Sequence, residues 1–484
     1  MIEGVKPFLQ YLDKNEIAQI HHTSLYLLDK IGVKVDDPEV REDLYHLGCR
    51  VEGDRVKFSP DLIQKILIHV RKEISFSRPN SQKVEVKPGK VISHSSGGIP
   101  SIIDFETGKK RNANLADFRQ AARLMDNLDQ LDMPCALFYP EDVPFQMSQV
   151  MQTEQLLRYT KKPIYGPGVS SPGEAKFIVE LFKAYAGTAI SLTEEPIGLV
   201  GISPESPLHF PKQITDTMKI IIAAGIPTVI LSAPVTGLSA PFTIAGAIAQ
   251  MNAEILAFAA IACSINPKTP LIYGSRLNYP NMRNGNSIWG LPEIGIGSAI
   301  AVQLARSYGF LSDVYGLAGT SCTFDNQIGY EKATNCILPV LAGANMISGF
   351  GSMASLMVAS LEQLVIDNET FAIQRKVKRG VQVNEDTLAL DVATNVLLDG
   401  GTFLEQAHTV RHLRAGEIFI PKLGFDNSWS EWERSGEKDI RAVAKEYVRK
   451  ILDNDTYEPI SPELDKEVGR ILKLANQELG KRLS

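Results

Sequence analysis

Residues Tyr315–Asp367 read YGLAGTSCTFDNQIGYEKATNCILPVLAGANMISGFGSMASLMVASLEQLVID. Two short apolar runs, Val314–Ala318 and Asn345–Phe350, end in small residues: Gly319, Thr320 and Ser321 after the first, Gly351 and Ser352 after the second. A long stretch with helical spacing follows each run. A buried strand, a loop of small residues and a helix, repeated, is the unit of a parallel β/α fold. Such folds carry their chemistry in the loops that follow the strands. Thr320, Cys322, Asp325, Gln327, Glu331 and Phe350 are therefore the first functional candidates.

Outward from this stretch the unit recurs. Strands are expected at Val91–Ser95, Pro134–Phe138, Pro163–Tyr165, Pro196–Ile202, Pro227–Ser232, Pro270–Gly274, Val314–Leu317 and Asn345–Gly349. A hairpin at Ile102–Arg111 and a helix at Leu115–Leu128 follow the first. Helices are expected at Gln149–Thr160, Gly173–Ala186, Pro211–Ala224, Thr243–Ile265, Glu293–Tyr308, Gln327–Leu341 and Leu356–Arg379. Eight strand–helix units in succession over about 250–300 residues are the pattern of a TIM (β/α)8 barrel. A doubly wound open sheet is the competitor, but IGIGSAI (Ile294–Ile300) has its glycines at the wrong spacing and inside a helical pattern. The expected architecture is α/β: an N-terminal α+β extension over residues 1–88, the barrel over 89–400, and a C-terminal helical cap and tail over 401–484.

In the extension, Glu16–Lys30 has helical spacing, and Asp37-Pro38 and Ser59-Pro60 open two further helices by cap-then-proline chemistry. His21, His22, His46 and His69 are scattered over these helices and are read as solvated or structural. Beyond Gly380 come a helix, a Gly400-Gly401 turn and a short segment holding His408 and His412. A polar tail with Trp429 and Trp432 ends in helices at Asp439–Leu452 and Pro462–Lys481, read as a cap folded back on the barrel or an oligomer contact.

The 484 residues are 44% hydrophobic and 22% charged, as in ordinary globular proteins. A net charge of −6 of mixed sign, without a basic stripe, argues against nucleic-acid binding. The most apolar stretch, Ile244–Ile265, carries Gln250, Asn252 and Glu254, so a buried helix is expected rather than a membrane span. The N-terminus MIEGVKPFLQYLDKNE is unlike a signal peptide. Five cysteines without a C-x-x-C pair signal neither a disulfide framework nor a structural zinc, and a reducing cytoplasm is the expected compartment.

Several blocks together are recognisable. SAPVTGLSAPFTIAGAIAQMNAEILA (Ser232–Ala257), DNQIGYEKA (Asp325–Ala333), LAGANMI (Leu341–Ile347), SLEQLVIDNE (Ser360–Glu369), GVQVNEDTLALDV (Gly380–Val392) and GGTFLEQAHT (Gly400–Thr409) occur in order. On these blocks the chain resembles the trimethylamine methyltransferase superfamily over nearly its whole length. The resemblance implies a TIM barrel that passes a methyl group from a methylamine to the cobalt of a separate corrinoid protein. In the trimethylamine enzymes a pyrrolysine lies just before the block matching DNQIGYEKA. Here Gly319, Thr320, Ser321, Cys322, Thr323 and Phe324 stand there, all standard residues. The chain looks like the non-pyrrolysine branch, which resembles quaternary-amine demethylases acting on betaines.

That resemblance implies cob(I)alamin on the corrinoid protein as nucleophile, with binding, alignment and access left to this chain. A quaternary ammonium departs as a neutral tertiary amine, so the C–N bond breaks without a proton donor. No acid/base residue is needed, and no tightly bound metal is expected. Aromatic faces suit a cation that has no strong hydrogen bonds to donate. Phe138, Tyr139, Tyr165, Tyr279, Phe324 and Phe350 are candidates near strand ends, each with barrel-rim packing as the plain alternative. Asp325, Glu141 or Glu331 adds negative charge, although Asp325 also suits the cap of the helix beginning near Gln327. For a substrate carboxylate, Arg276 directly after a strand is the first choice, Arg283 the second, and His94 a further donor or an entrance residue. Thr320, Cys322 and Gln327 complete the candidate lining. Glu254, Glu331 and Glu362 sit in apolar helical patterns and are expected to be paired.

The expected activity is a corrinoid-dependent methyltransferase acting on glycine betaine, proline betaine, carnitine or γ-butyrobetaine, as a homo-oligomer without nucleic-acid or membrane partners. Two alternatives stay open. A TIM-barrel lyase or aldolase would need a Schiff-base lysine or metal cluster at strand ends, and a non-catalytic betaine-binding protein would keep only the pocket.

Overall fold

The computed structural model describes residues 9–79, 81–187, 191–454 and 457–480. Positions 1–8, on which part of the N-terminal reading rests, and Lys481, at the end of the expected last helix, lie outside the described residues.

Seven parallel strands form one sheet: Ile92–Ser95, Met346–Phe350, Leu311–Tyr315, Leu271–Ser275, Thr228–Ser232, Gly198–Ile202 and Ile164–Gly168, in that spatial order. The eighth stave is the segment expected as the strand Pro134–Phe138. It closes the ring through two isolated parallel bridges, His94 with Met133 and Cys135 with Tyr165. Pro134 sits between those bridges and has no N–H to give a ladder, so the segment pairs without becoming a regular strand. The sheet thus closes into the (β/α)8 barrel.

Each stave leads into a helix that covers the outside, among them Pro172–Ala186, Ile244–Ile265, Pro292–Tyr308 and Asn326–Ala342. The sequence signals at their ends are used as written. Ser171 caps Glu174 N–H ahead of Pro172, Asp325 caps Ile328 N–H, and Gly309 and Gly343 close their helices in the left-handed conformation. Ile244–Ile265, long and apolar enough to cross a bilayer, is instead 83% buried inside the protein over its most apolar window.

Three expectations need correction. The strand expected at Val314–Leu317 runs from Leu311 to Tyr315. Asp313 is therefore a strand residue facing the barrel axis, and Gly316 already belongs to the loop. The helix expected from Leu356 begins at Leu361, because Ser352–Met353 and Val358–Ala359 first form a small hairpin against Ser101–Ile103. The first helix, expected to Lys30, is α-helical over Lys14–Tyr26 and continues as a π-helix over Leu27–Ile31.

The extension closes one end of the barrel. The hairpin Ile74–Phe76 with Val84–Val86 packs its Ile74, Phe76, Val84 and Val86 against Ile92, Met133, Leu199, Val229, Ile272, Leu311 and Met346. These seven residues lie at the amino ends of the staves, so the foot of the barrel is an apolar plug. Access to the interior is left to the carboxyl ends. At the other terminus, Ile440–Asn454 lies on Leu361–Arg379, and Pro462–Leu479 lies on Pro172–Ala186.

Candidate functional site

Directly above the plug the barrel interior turns polar. Alternation along the strands brings His94, Cys135, Tyr165, Leu231, Asp313 and Ser348 inward, and Arg276 enters from just beyond its strand. Asp313 is fully buried, and burial alone would raise its carboxyl pKa. The charges of Arg276 and His94, with their hydrogen bonds, overturn that and hold it well below the usual carboxylate range. Arg276 Nη2 donates to Asp313 Oδ2 at 2.5 Å, and His94 Nε2 lies 2.8 Å from Oδ1. Tyr165 Oη donates to Oδ2 at 3.1 Å.

Arg276 Nη1 donates to the carbonyls of Ser275 (2.9 Å) and Asp313 (3.2 Å). These bonds occupy three of the five N–H groups of a guanidinium. Its plane lies over Tyr315, with Cζ 4.7 Å from the ring centroid. Both ring nitrogens of His94 face acceptors, Nε2 the Asp313 carboxylate and Nδ1 the Ser95 carbonyl at 2.9 Å. The floor thus sets the Arg276 cation against the Asp313 carboxylate, with His94 bonded to the same carboxylate. His94 also stacks on Tyr165 at 4.3 Å and 20°. Burial, reinforced by the Asp313 charge, pushes the Tyr165 phenol up and keeps it a donor.

The cavity above this floor is lined by His94, Cys135, Tyr139, Gln152, Tyr165, Arg276, Tyr315 and Ser348 among others, and spans about 750 Å³ counted out to its open mouth. That is the size of a small-molecule site. Small residues make the room: Gly97, Gly98 and Gly168 lie on its wall. Gln152 is anchored by donating to the Phe138 carbonyl at 3.0 Å. Burial pushes the Cys135 thiol up to about 12, which makes it an inert wall rather than a nucleophile. None of the described lining residues is a lysine. A shallower depression at the foot of the barrel, lined by Ile66, His69, Cys263 and Asn266, gathers no comparable set of charges.

Of the residues singled out from the sequence, the fold brings His94, Tyr139, Tyr165 and Arg276 into this one cavity. The others lie elsewhere. Phe350 is fully buried against Phe371, because a register shift and Gly349 at φ 125° turn the strand end outward. Phe138 is also wholly in the core. Tyr279 is buried against Gly297 of a flanking helix. Phe324 lies under Arg441 of the C-terminal helices, 4.3 Å from ring to guanidinium. Arg283 and Glu141 are exposed, Glu141 accepting from Asn112.

The loop after Tyr315 forms a network of its own. Glu331, buried, accepts from Thr320 N (2.6 Å), Ser321 N (3.1 Å) and Gln327 Nε2 (2.8 Å). Thr320 Oγ1 accepts from Gly290 N at 2.8 Å. Asp325 caps its helix and accepts from Ser321 Oγ. Cys322 is exposed. These side chains hold the loop and the Trp289 turn in place; Trp289 in turn backs Tyr315 at 4.5 Å. Of the other two acidic residues expected to be paired with arginine or helix ends, Glu362 meets an arginine, whereas Glu254 is held by hydrogen-bond donors without a cation among the described residues. Glu254 accepts from Ser206, Ser232, Leu208 N and Gln250, and Glu362 from Ser360 with Arg441 at 3.5 Å.

Asp313, Tyr315 and Gln152 were not singled out from the sequence. A signal for Asp313 exists: it is the one acidic residue in the apolar run Phe310–Ala318, where a charge is tolerated only with a partner.

The family model for trimethylamine methyltransferase (MTTB) matches residues 1–479. The chain belongs to that family. It is 30% identical to the trimethylamine methyltransferase MttB of Methanosarcina barkeri, over 98% of this chain and 97% of the relative. It is 27% identical to a glycine betaine methyltransferase of Desulfitobacterium hafniense (strain Y51), over 98% of both. The solved monomethylamine methyltransferase (MtmB) of Methanosarcina barkeri superposes with a TM-score of 0.48 at 13% identity, covering 97% of this chain and 94% of its own. The chain is a methyltransferase of the methylamine and betaine family.

Proposed function

We propose that this protein takes a methyl group from a betaine-type quaternary amine and delivers it to the cobalt of a separate corrinoid protein. The observation that carries the reading is the cavity itself. Its floor carries the guanidinium of Arg276, held on Asp313 beside His94, and its walls offer the rings of Tyr139, Tyr165 and Tyr315. A zwitterion with a carboxylate and a fully alkylated nitrogen matches both: charge-assisted hydrogen bonds for one end, ring faces for the other. The loop 319–324 holds only standard residues, in keeping with a substrate whose leaving group needs no electrophilic help.

The residues present fit a separate methyl acceptor. Phe145, Leu238, Phe242, Met282 and Met357 stand exposed on loops that follow the staves and rim the open end. Exposed apolar rims of this kind mark interaction surfaces. When docked, the reduced corrinoid supplies the nucleophile. Arg276 holds the substrate carboxylate at the floor, where His94 and Asp313 keep the guanidinium in place, so the methylated nitrogen is directed to the mouth. Tyr139 and Tyr165 exclude water from it and donate nothing to the breaking bond. Self-association belongs to the same reading: Leu390, Leu397, Leu398 and Leu404 in the C-terminal segment are 73–80% exposed, a surface a second copy would cover. A cytoplasmic location would suit the reduced cobalt.

Purified protein mixed with a reduced corrinoid protein and glycine betaine, proline betaine, carnitine, γ-butyrobetaine or trimethylamine tests this. Methyl-cobalt absorbance with a betaine and not with trimethylamine is expected. Methylation by trimethylamine alone would overturn the substrate class.

A further inference from the structure

Among the described residues outside the barrel, one cluster has the chemistry of a metal site and no part in the reaction above. It lies in the C-terminal segment, where the helix Ala407–Arg414 crosses the turn Glu385–Leu388. His408 and His412 are four residues apart on that helix and so share a face. Their rings are 4.1 Å apart between centroids, and Asp386 meets them from the turn. One ligand atom from each of the three lies within 4.8 Å of the other two. We propose that Asp386, His408 and His412 bind a divalent transition-metal ion, zinc by preference, that pins this helix to the turn.

Four observations support the site. The ligand types are right, since two imidazoles and a carboxylate with an open fourth position are an established zinc set. The spacing is close to the bound form. His412 Nε2 stands 3.1 Å from Asp386 Oδ2, and ligands at 2.0–2.1 Å around a tetrahedral ion lie roughly 3.3 Å apart.

The ligand side chains are held in place as well. His408 Nε2 lies 2.9 Å from the Asp386 carbonyl oxygen, which leaves Nδ1 as the ring nitrogen available to a metal. Metal-binding histidines use this arrangement to fix the ring. Asp386 is oriented in the same way, with Oδ1 held by Arg411 and Oδ2 left facing His412.

Finally, this part of the fold needs a fastener. Neither Glu385–Leu388 nor Ala407–Arg414 has a buried residue, and the intervening helix Leu390–Asp399 buries only Val396. Segments that cannot build an apolar core are commonly held by a metal or by a partner. The ion would supply in coordination what burial does not supply here. Among the described residues, His46, paired with Glu42 on the surface, and His69 belong to no such group and serve as controls.

The test uses the full chain, stripped with a chelator and titrated with zinc alone in a calorimeter. One zinc per chain is expected, with at least a tenfold weaker affinity in D386N and no stoichiometric binding in the H408A/H412A double variant, while H46A matches the native chain. Cobalt(II) gives a second readout that needs no substitution. A four-coordinate site produces intense visible d–d absorption, whereas the weak spectrum of the hydrated ion would overturn the proposal. Binding unchanged in the double variant would overturn it equally. Slowed hydrogen exchange over residues 385–414 on adding zinc, with the barrel unaffected, is the expected mark of a fastener.

Discussion

Asp313 holds Arg276 by a 2.5 Å ion pair inside the barrel, with Asp313 fully buried and Arg276 8% exposed. The arginine is thereby both anchor and instrument: its side chain is fixed by one carboxylate and aimed toward the space a second carboxylate would enter. Removing the Asp313 charge leaves the Arg276 cation without its partner in a low-dielectric site. The variant D313N is expected to lose about 3–5 kcal/mol of unfolding free energy, the usual cost of breaking a buried pair by removing one partner. Chemical denaturation measures it. A loss below 1 kcal/mol would mean that water reaches this floor freely.

Tyr139 lines the cavity wall near Phe145. If its ring faces the substrate nitrogen, Y139F keeps affinity for a betaine, whereas Y139L loses about 0.5–2 kcal/mol, roughly 2- to 30-fold. Calorimetric titration of the two variants separates a ring-face contact from a hydroxyl contact. Equal losses in both would assign the contact to the hydroxyl.

Glu174 accepts from Gln149 N at 2.8 Å behind the cavity wall, and burial raises its carboxyl to about 7. In the unfolded chain such a group titrates near the ordinary glutamate value, about 4.3. Below that pH both states are protonated and nothing is lost. As pH rises from about 4.3 to about 7, the unfolded chain releases the proton first, so the folded state loses stability progressively, then levels off. The loss is at most about 3–4 kcal/mol. E174Q is expected to flatten this window in a denaturation series run from pH 4 to pH 8, and an unchanged slope would remove Glu174 as its source.

Lys332 and Asp367 form a second buried pair at 2.6 Å, and Asp367 also accepts from Gly351 N and Gln363 Nε2. This pair ties two barrel helices to the loop after Met346–Phe350. K332M leaves Asp367 with its amide donors but no cation, at an expected cost of about 3–5 kcal/mol. The double variant K332M/D367L is expected to recover much of it, because a well-packed apolar pair can replace a buried ion pair. Thermal unfolding of both variants decides the point.

The fold was legible because its units are local. Small residues after apolar runs, cap-then-proline pairs and helical spacing each act within a few residues, so all eight staves and their helices could be located from sequence. The seventh strand was set three residues too late, and that shift hid Asp313. A strand buried on both faces has no polar alternation to fix its register, and the run Phe310–Ala318 offered only apolar and small residues on either side of the acid.

His94, Tyr139, Tyr165 and Arg276 could be nominated because each stands at or beyond the end of a recognisable strand. Phe350 and Tyr279 meet the same criterion yet face the core, since a positive-φ glycine and a packed helix decide their direction.

By itself, then, the sequence determined the repeated strand–loop–helix unit and the membership that its ordered blocks express. Tertiary structure decided which side chains share a chamber. The ring brings His94 and Asp313 to 2.8 Å across 219 residues of chain, and the C-terminal segment brings Asp386 to His412 across 26. Closure of a barrel is a long-range event, and spacing along a chain carries no record of which strand ends will meet across its axis.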